Sequence, residues 1–488
     1  MKEKIKELTK DTAIYGISTI VGRFIGFIIV PFYTHVINTT DFGIYSNIYA
    51  YLAFLNIVYI YGIDAAFLKF SSIAVNDSEK SKVFSTSFWT VFISSILFSI
   101  LLYFLKPSIS IIMELPKNYL YLYDYLIYIL FFDTLALIPF AYLRLQRKAL
   151  SFAVIKFINI MLFLLLNIVL IVGYKMGIEA ILISNLVASV FSFVALLPAT
   201  AKYLKLVFDK KLFKRLLNFG IPYLPASMGA MIVQVIDRPL VLAMTDPATL
   251  GIYQANYKLG IFMMLFVSMF QYAWQPFFLN NAKEKEAKEL FSKIFTLFLI
   301  ATSMIWVILT LFVEDFIKFQ FLPGVSIFGN AYISGVGIVP IILLGYLFHG
   351  LYINFTAGIY IEEKTKYFPL VTLAGALTNV VINLMLIPVI GIYGAALATL
   401  ASYLVMSSGL FIVSQKFYHI EYEFRKITSL LILLLTSISI YYLLFLNNLF
   451  TILYKILFLS LFILVLFALK IINVSEVKLI LNRIIKRR

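Results

Sequence analysis

The chain has 488 residues, 62% of them hydrophobic and 13% charged, with a formal net charge of +16 and a mean hydropathy of +0.97. Soluble domains carry about 25% charged residues, so the composition excludes an ordinary soluble protein and defines a polytopic membrane protein. The absence of cysteine excludes a disulfide framework, a thiol nucleophile and a thiolate metal site.

A spanning helix needs about 20 mostly apolar residues. That rule predicts about fourteen spans, near residues 12–37, 41–70, 83–105, 118–141, 151–173, 178–200, 213–244, 248–278, 290–313, 330–358, 367–388, 392–414, 427–446 and 450–470. The first follows Lys2, Lys4, Lys6 and Lys10. It is too long for a signal-peptide core and lacks a small-residue cleavage site, so it reads as a retained helix. The spans near 41–70, 213–244 and 248–278 exceed the bilayer thickness and are expected to tilt, kink or protrude. Pro222 and Pro225 place a kink in the seventh. The longest loop on the less basic side, roughly 314–329, is too short for a folded domain.

With the N-terminus in the cytoplasm, alternate loops collect 31 of the 40 lysines and arginines. By the positive-inside rule both termini are expected in the cytoplasm, in a multi-pass protein of the inner (cytoplasmic) membrane. The same placement argues against nucleic-acid binding, because the basic residues punctuate apolar segments rather than forming one patch.

An internal repeat is visible. Asp41-Phe-Gly-Ile-Tyr45 opens the second span and Thr249-Leu-Gly-Ile-Tyr253 the eighth, at an offset of 208, with Tyr49 matching Tyr257. Lys148, Phe152 and Asn167 match Lys364, Phe368 and Asn383 at 216, and Gly177-Ile178 matches Gly391-Ile392 at 214. The expected fold is all-α: two parallel six-helix repeats forming two lobes around a central cavity, plus two extra C-terminal helices. The corresponding divisions are 1–205, 206–415 and 416–488.

Several charges fall inside these spans. A charge at bilayer depth costs about 2.5–3.5 kcal/mol on insertion scales and is kept where it faces protein or water. Arg23 lies in the first span beside Ser18, Gly22 and Gly26, a small-residue run that permits close helix contact. It reads as a cavity cation gripping phosphate, or as a structural partner of Asp64 or Asp133. Arg238 and Lys258 lie at similar depth in spans 7 and 8 and form a second cationic substrate site, unless both snorkel to headgroups. Asp64, Asp133 and Asp237 are the candidates for coupling a proton or sodium ion. Asp64 has the alternative of pairing with Lys69, and Asp133 that of a buried partner for Arg23. Gln234, Gln254, Asn256, Gln271, Trp274 and Gln275 make spans 7 and 8 unusually polar. There is no Walker A motif and no loop carboxylate pair, so the chain does not read as an enzyme. The three histidines, His35, His349 and His419, form no ligand-spaced cluster, and no resident cofactor or metal is expected.

The basic start, the run Gly22-Arg23-Phe-Ile-Gly26, the Pro31-Phe-Tyr33 that follows, the Asp41-Phe-Gly-Ile-Tyr45 turn and the six-plus-six-plus-two arrangement together resemble the polysaccharide (O-antigen type) flippases of the multidrug/oligosaccharidyl-lipid/polysaccharide exporter superfamily. The resemblance covers essentially the whole chain. It implies a flippase that turns an undecaprenyl-pyrophosphate-linked oligosaccharide from the cytoplasmic to the outer leaflet, by alternating access coupled to H+ or Na+. It implies membrane lipid, polysaccharide polymerase and chain-length proteins as partners. Arg23 matches the cationic first-span position of such flippases. A multidrug/cation antiporter, and a lipid II or teichoic acid precursor flippase, are the alternatives.

Overall fold

The computed structural model describes residues 20, 22, 24–447 and 451–471. Among these, eleven helices are long and apolar enough to cross a membrane, or twelve if a pair bent by 40° counts as one span. Two shorter apolar helices, Phe24–Val36 and Ile452–Ala468, fall on the first and last expected spans. The protein is a nearly all-helical, multi-pass integral membrane protein. Helices are the outcome because hydrocarbon offers backbone groups no partner, and each helix satisfies its own.

Two compact units are formed. One comprises the chain to Ile261, with Phe328–Gly335 and Pro369–Ser402. Its helices run α1 (Phe24–Val36), α2 (Thr39–Ile60), α3 (Ile63–Ser72), α4 (Asp77–Phe104), α5 (Lys106–Ile112), α6 (Leu122–Leu145), α7 (Ala149–Ile168), α8 (Glu179–Thr200), α9 (Lys210–Gly220), α10 (Tyr223–Val235), α11 (Asp237–Met244) and α12 (Pro247–Tyr257). The other unit holds Phe262–Ile327, Val336–Phe368 and the chain from Tyr403 on. It contains most of α13 (Ile261–Asn281), all of α14 (Ala287–Lys318) and α15 (Val339–Ile361), and α18 (Phe424–Leu446) and α19 (Ile452–Ala468). Helices α16 (Tyr367–Ile390) and α17 (Ile392–Phe417) are divided between the two units by these boundaries.

In the second unit, aromatic packing dominates. Trp306 Nε1 donates to Pro340 O at 2.9 Å and Trp274 Nε1 to Asn354 O at 3.3 Å. Lys455, a charge inside the expected last span, is 4% exposed and donates to Asp315 Oδ2 at 2.6 Å. The expected loop near 314–329 carries a two-stranded hairpin, β1 (Gln320–Leu322) and β2 (Val325–Ser326).

In the first unit, the long spans break where the sequence allows. The second bends at Tyr61 and Gly62, with φ of 33° and 75°, a left-handed conformation that Gly adopts without a Cβ penalty. The seventh breaks between α9 and α10 at Pro222, which lacks an amide hydrogen, and again at Ile236. The first two breaks touch: a Cβ on Gly220 would stand 3.0 Å from the Tyr61 and Gly62 carbonyl oxygens. This geometry agrees with the kink read from the prolines and adds where it docks.

The repeated motifs meet at the other end of α2. Asn38 caps α2 by accepting from Asp41 N at 2.8 Å, and Asp246 caps α12 by accepting from Ala248 N at 2.8 Å and Thr249 N at 3.0 Å. The two capped turns then cross reciprocally. A Cβ on Gly43 would overlap the Pro247 carbonyl oxygen, and one on Gly251 the Thr39 carbonyl oxygen. Each built Cβ would also stand 3.1 Å from the other glycine's amide nitrogen. Helices this close need glycine on both sides. The segment Phe328–Gly335 docks on the turn before α2, with Tyr332 OH donating to Ile37 O at 2.8 Å.

Gly43→Val is expected to force α2 and α12 apart. Since the chain has no cysteine, a single Ser46→Cys, buried at 2% exposure, reports the separation. Its alkylation by a maleimide should be several-fold faster in the Gly43→Val background than in the Gly43 background. Equal rates would show that the contact does not close this end.

Candidate functional site

Helices α11 and α12 hold the polar centre of the first unit. Successive residues of one pair with successive residues of the other. Tyr253 OH donates to Asp237 Oδ2 at 2.5 Å, and Arg238 Nε donates to Gln254 Oε1 at 2.9 Å. Asp237 is 2% exposed, and its other oxygen, Oδ1, makes no hydrogen bond. Thr399 on α17 lies within hydrogen-bonding reach of the Tyr253 hydroxyl. A buried carboxylate oxygen without a donor is costly, and a proton or a small cation is the natural way to satisfy it. Among the described residues, no group of three or more His, Asp or Glu side chains is placed to hold a metal ion.

Arg238 does not close an ion pair with its neighbour Asp237: no such pair falls within 4.0 Å among the described residues. Adjacent helical residues point about 100° apart, which is why. The guanidinium instead lies 5.9 Å from the Tyr257 ring centre, with the charge of Lys258 close by and the Tyr45 hydroxyl within its field. Arg238 and Lys258, read from the sequence as one cationic site, lie within each other's field.

A line of tyrosines runs from this cation to a second polar region. The rings of Tyr33 and Tyr45 are 6.0 Å apart and those of Tyr45 and Tyr49 are 4.6 Å apart. The Tyr49 hydroxyl accepts from Asn185 Nδ2 at 2.7 Å, and Asp133 lies close enough to act on it electrostatically. Asp133, on α6, hydrogen-bonds Ser189 and sits in the field of Lys156. These groups line a cavity of about 390 Å³.

The remaining sequence candidates are placed apart from these groups or not described. Asp64 stands in the first turn of α3, just past the break at Gly62. Lys69, considered as its partner, lies over the Phe219 ring at 4.0 Å. Arg23 falls outside the described residues. The tyrosines and Lys156 were not singled out as site residues from sequence, although their spacing carries the signal. Tyr45, Tyr49 and Asn56 recur at helical period on α2, and Phe152, Lys156 and Asn159 on α7.

The fold and these groups together define a polytopic helical membrane protein with a polar, partly cationic interior, the architecture of a transporter. The chain belongs to the polysaccharide biosynthesis protein family, whose model matches residues 8–282, more than half of its length. Its fold is shared with solved structures of a flippase and of multidrug transporters. It is similar to the lipid II flippase MurJ in an inward closed conformation, with a TM-score of 0.71 at 18% identity over 92% of this chain and 98% of that one. An inward-facing multidrug resistance MATE transporter aligns with a TM-score of 0.67 at 10% identity, over 82% of this chain and 94% of that one. In sequence it is 24% identical over 366 residues to the uncharacterized membrane protein MJ1068 of Methanocaldococcus jannaschii, covering 70% of this chain and 69% of that protein.

Tyr253→Phe removes the donor to Asp237 and leaves both carboxylate oxygens unmatched, which is expected to cost about 1–3 kcal/mol. Asp237→Asn removes the charge and should cost less. Thermal melting of the detergent-solubilised variants checks the order, and a Tyr253→Phe melting point equal to wild type would refute it.

Proposed function

We propose that this protein is a flippase that moves an undecaprenyl-pyrophosphate-linked oligosaccharide from the cytoplasmic to the outer leaflet of the cytoplasmic membrane, for cell-surface polysaccharide synthesis. The observation that carries this reading is the pairing of Arg238 with Lys258 in the polar centre, beside tyrosine and amide side chains, in a member of a polysaccharide biosynthesis family. A pyrophosphate must cross about 30 Å of hydrocarbon. Two cations that close no ion pair within 4.0 Å among the described residues lower that barrier, and phenol and amide groups suit sugar hydroxyls. The basic ends of the spans support a cytoplasmic location of both termini. Arg23, outside the described residues, is a further phosphate-binding candidate from its place in the sequence.

Transport is coupled to H+ or Na+. Asp237, with one carboxylate oxygen unmatched, is the group best supported as the coupling site. Asp133 and Asp64 follow it. Coupling requires the ion to bind the two access states with different affinity, and a carboxylate adjacent in sequence to a substrate-binding arginine suits that. Polysaccharide polymerase and chain-length proteins would act on the product. A lipid II or teichoic acid precursor flippase would differ only in the head group it accepts. A multidrug/cation antiporter would want an anionic pocket rather than Arg238 and Lys258.

Complementation tests the reading. In a strain lacking its O-antigen flippase, the wild-type gene should restore surface polysaccharide. Arg238→Ala, expressed to equal level, should leave lipid-linked intermediates on the cytoplasmic side and lower surface polysaccharide at least tenfold. Undiminished export by Arg238→Ala together with Lys258→Ala would remove the cations from the mechanism. Rescue of a lipid II flippase deletion alone would reassign the head group, and drug resistance without rescue would favour the antiporter.

A further inference from the structure

The cavity beside Asp133 lies away from the Arg238–Lys258 pair, among α2, α6, α7 and α8. Its lining combines two cations, Lys156 and Arg144, with one carboxylate, Asp133, and the amides of Asn56, Asn159 and Asn185. Lys156 Nζ lies 4.4 Å from the Phe140 ring centre and within the fields of both Asp133 and Arg144. No ion pair closes within 4.0 Å between Lys156 and Asp133 among the described residues. The cavity therefore sets two cationic side chains against one carboxylate, and the ammonium of Lys156, though in the field of Asp133, is left within reach of a ligand.

Two of the amides, Asn159 and Asn185, are oriented by hydrogen bonds to neighbouring helices. Asn159 Nδ2 donates to Ala188 O at 2.7 Å and to Ser192 Oγ at 2.9 Å. Asn185 Nδ2 donates to the Tyr49 hydroxyl at 2.7 Å. Asn159 thus has both amide hydrogens engaged and Asn185 has one on Tyr49, and both have their carbonyl oxygens to offer as acceptors. The site thus presents cationic donors from Lys156 and Arg144 and acceptors from Asp133, Asn159 and Asn185. A phosphate has no donors, and a sugar has many. A ligand carrying both groups matches the two halves of the lining. The volume of about 390 Å³ is toward the lower end of small-molecule sites, which run from about 300 to 1,000 Å³. It suits one sugar residue with its phosphate and not an oligosaccharide.

We infer that this cavity is a phosphosugar subsite, in which Lys156 and Arg144 bind the phosphate and Asp133, Asn159 and Asn185 accept hydrogen bonds from the hydroxyls of the first sugar. The inference rests on the proposed flippase function and adds to it a recognition element for the reducing-end sugar. Arg144 lies in the last turn of α6, next to the basic loop of Arg147 and Lys148, so the subsite opens toward the end of the bundle where a cytoplasmic substrate would arrive. Asp133 has a selective role here. It already hydrogen-bonds Ser189 and sits in the field of Lys156; its charge still disfavours a bare pyrophosphate, and a sugar hydroxyl that donates to it offsets that repulsion.

Native mass spectrometry of the purified full-length protein tests this with three probes: undecaprenyl pyrophosphate bearing one N-acetylglucosamine, undecaprenyl pyrophosphate, and undecaprenol. Wild type should bind the sugar-bearing lipid most tightly. Lys156→Gln should weaken both pyrophosphate lipids about tenfold, the scale of one charge-assisted hydrogen bond, and Lys156→Arg should restore them. Asp133→Asn should tighten bare undecaprenyl pyrophosphate and narrow the preference for the sugar-bearing form. Wild-type affinity in Lys156→Gln, or an unchanged preference in Asp133→Asn, would overturn the subsite and leave the flippase reading standing. If wild type binds no pyrophosphate lipid better than undecaprenol, both fall. Should Lys156→Gln fail to fold, the Asp133→Asn preference decides alone.

Discussion

The reciprocal contact between Gly43 and Gly251 sets the geometry of the first unit. With no side chain between them, the first turns of α2 and α12 approach until each glycine meets the other helix's backbone. Everything two residues further along is fixed by that approach. Tyr45 is carried into the field of Arg238, and Tyr253 is carried onto Asp237. A methyl group at either glycine would have to displace backbone rather than a flexible side chain. Such a contact is therefore made or broken as a whole, as a two-state element requires.

The buried charges divide by whether they are closed against a counter-ion. Lys455 in the second unit meets Asp315 at 2.6 Å and has the geometry of a structural pair. Arg238, Lys258 and Lys156 are different. Arg238 and Lys156 have aromatic or amide neighbours, and none of the three closes on a carboxylate within 4.0 Å among the described residues. Charges kept in a membrane protein at a cost of a few kcal/mol, yet not closed in an ion pair, are the ones a charged ligand can use. This distinction supports separating the cations proposed for transport from the one that holds helices together.

Much of the fold was legible in the sequence because hydrocarbon imposes a simple rule. Every apolar run of sufficient length becomes a helix, and the spans fall close to where hydropathy placed them. The break at Pro222 was legible for an equally local reason, the missing amide hydrogen. The site was legible only in part. Asp237, Arg238 and Lys258 stood out as charges in apolar surroundings. Lys156 also falls within an expected span but carried no neighbouring signal that marked it as a site residue, and the tyrosines of α2 were lost in a chain with 32 tyrosines. Polar function built from phenols and amides leaves little trace in a hydropathy profile.

The sequence by itself determined that this is a multi-pass membrane protein with charges inside its spans, and that two glycine-containing motifs recur 208 residues apart. Those features follow from local composition and from solvent, which act on each segment separately. Only the tertiary structure decided that the two motifs lock against each other, that Asp237 turns to Tyr253 while Arg238 turns to Gln254, and that Asp133 shares a cavity with Lys156. Which side chain faces which depends on helix rotation and crossing. Those are set by close packing between segments far apart in the chain, and no single segment encodes them.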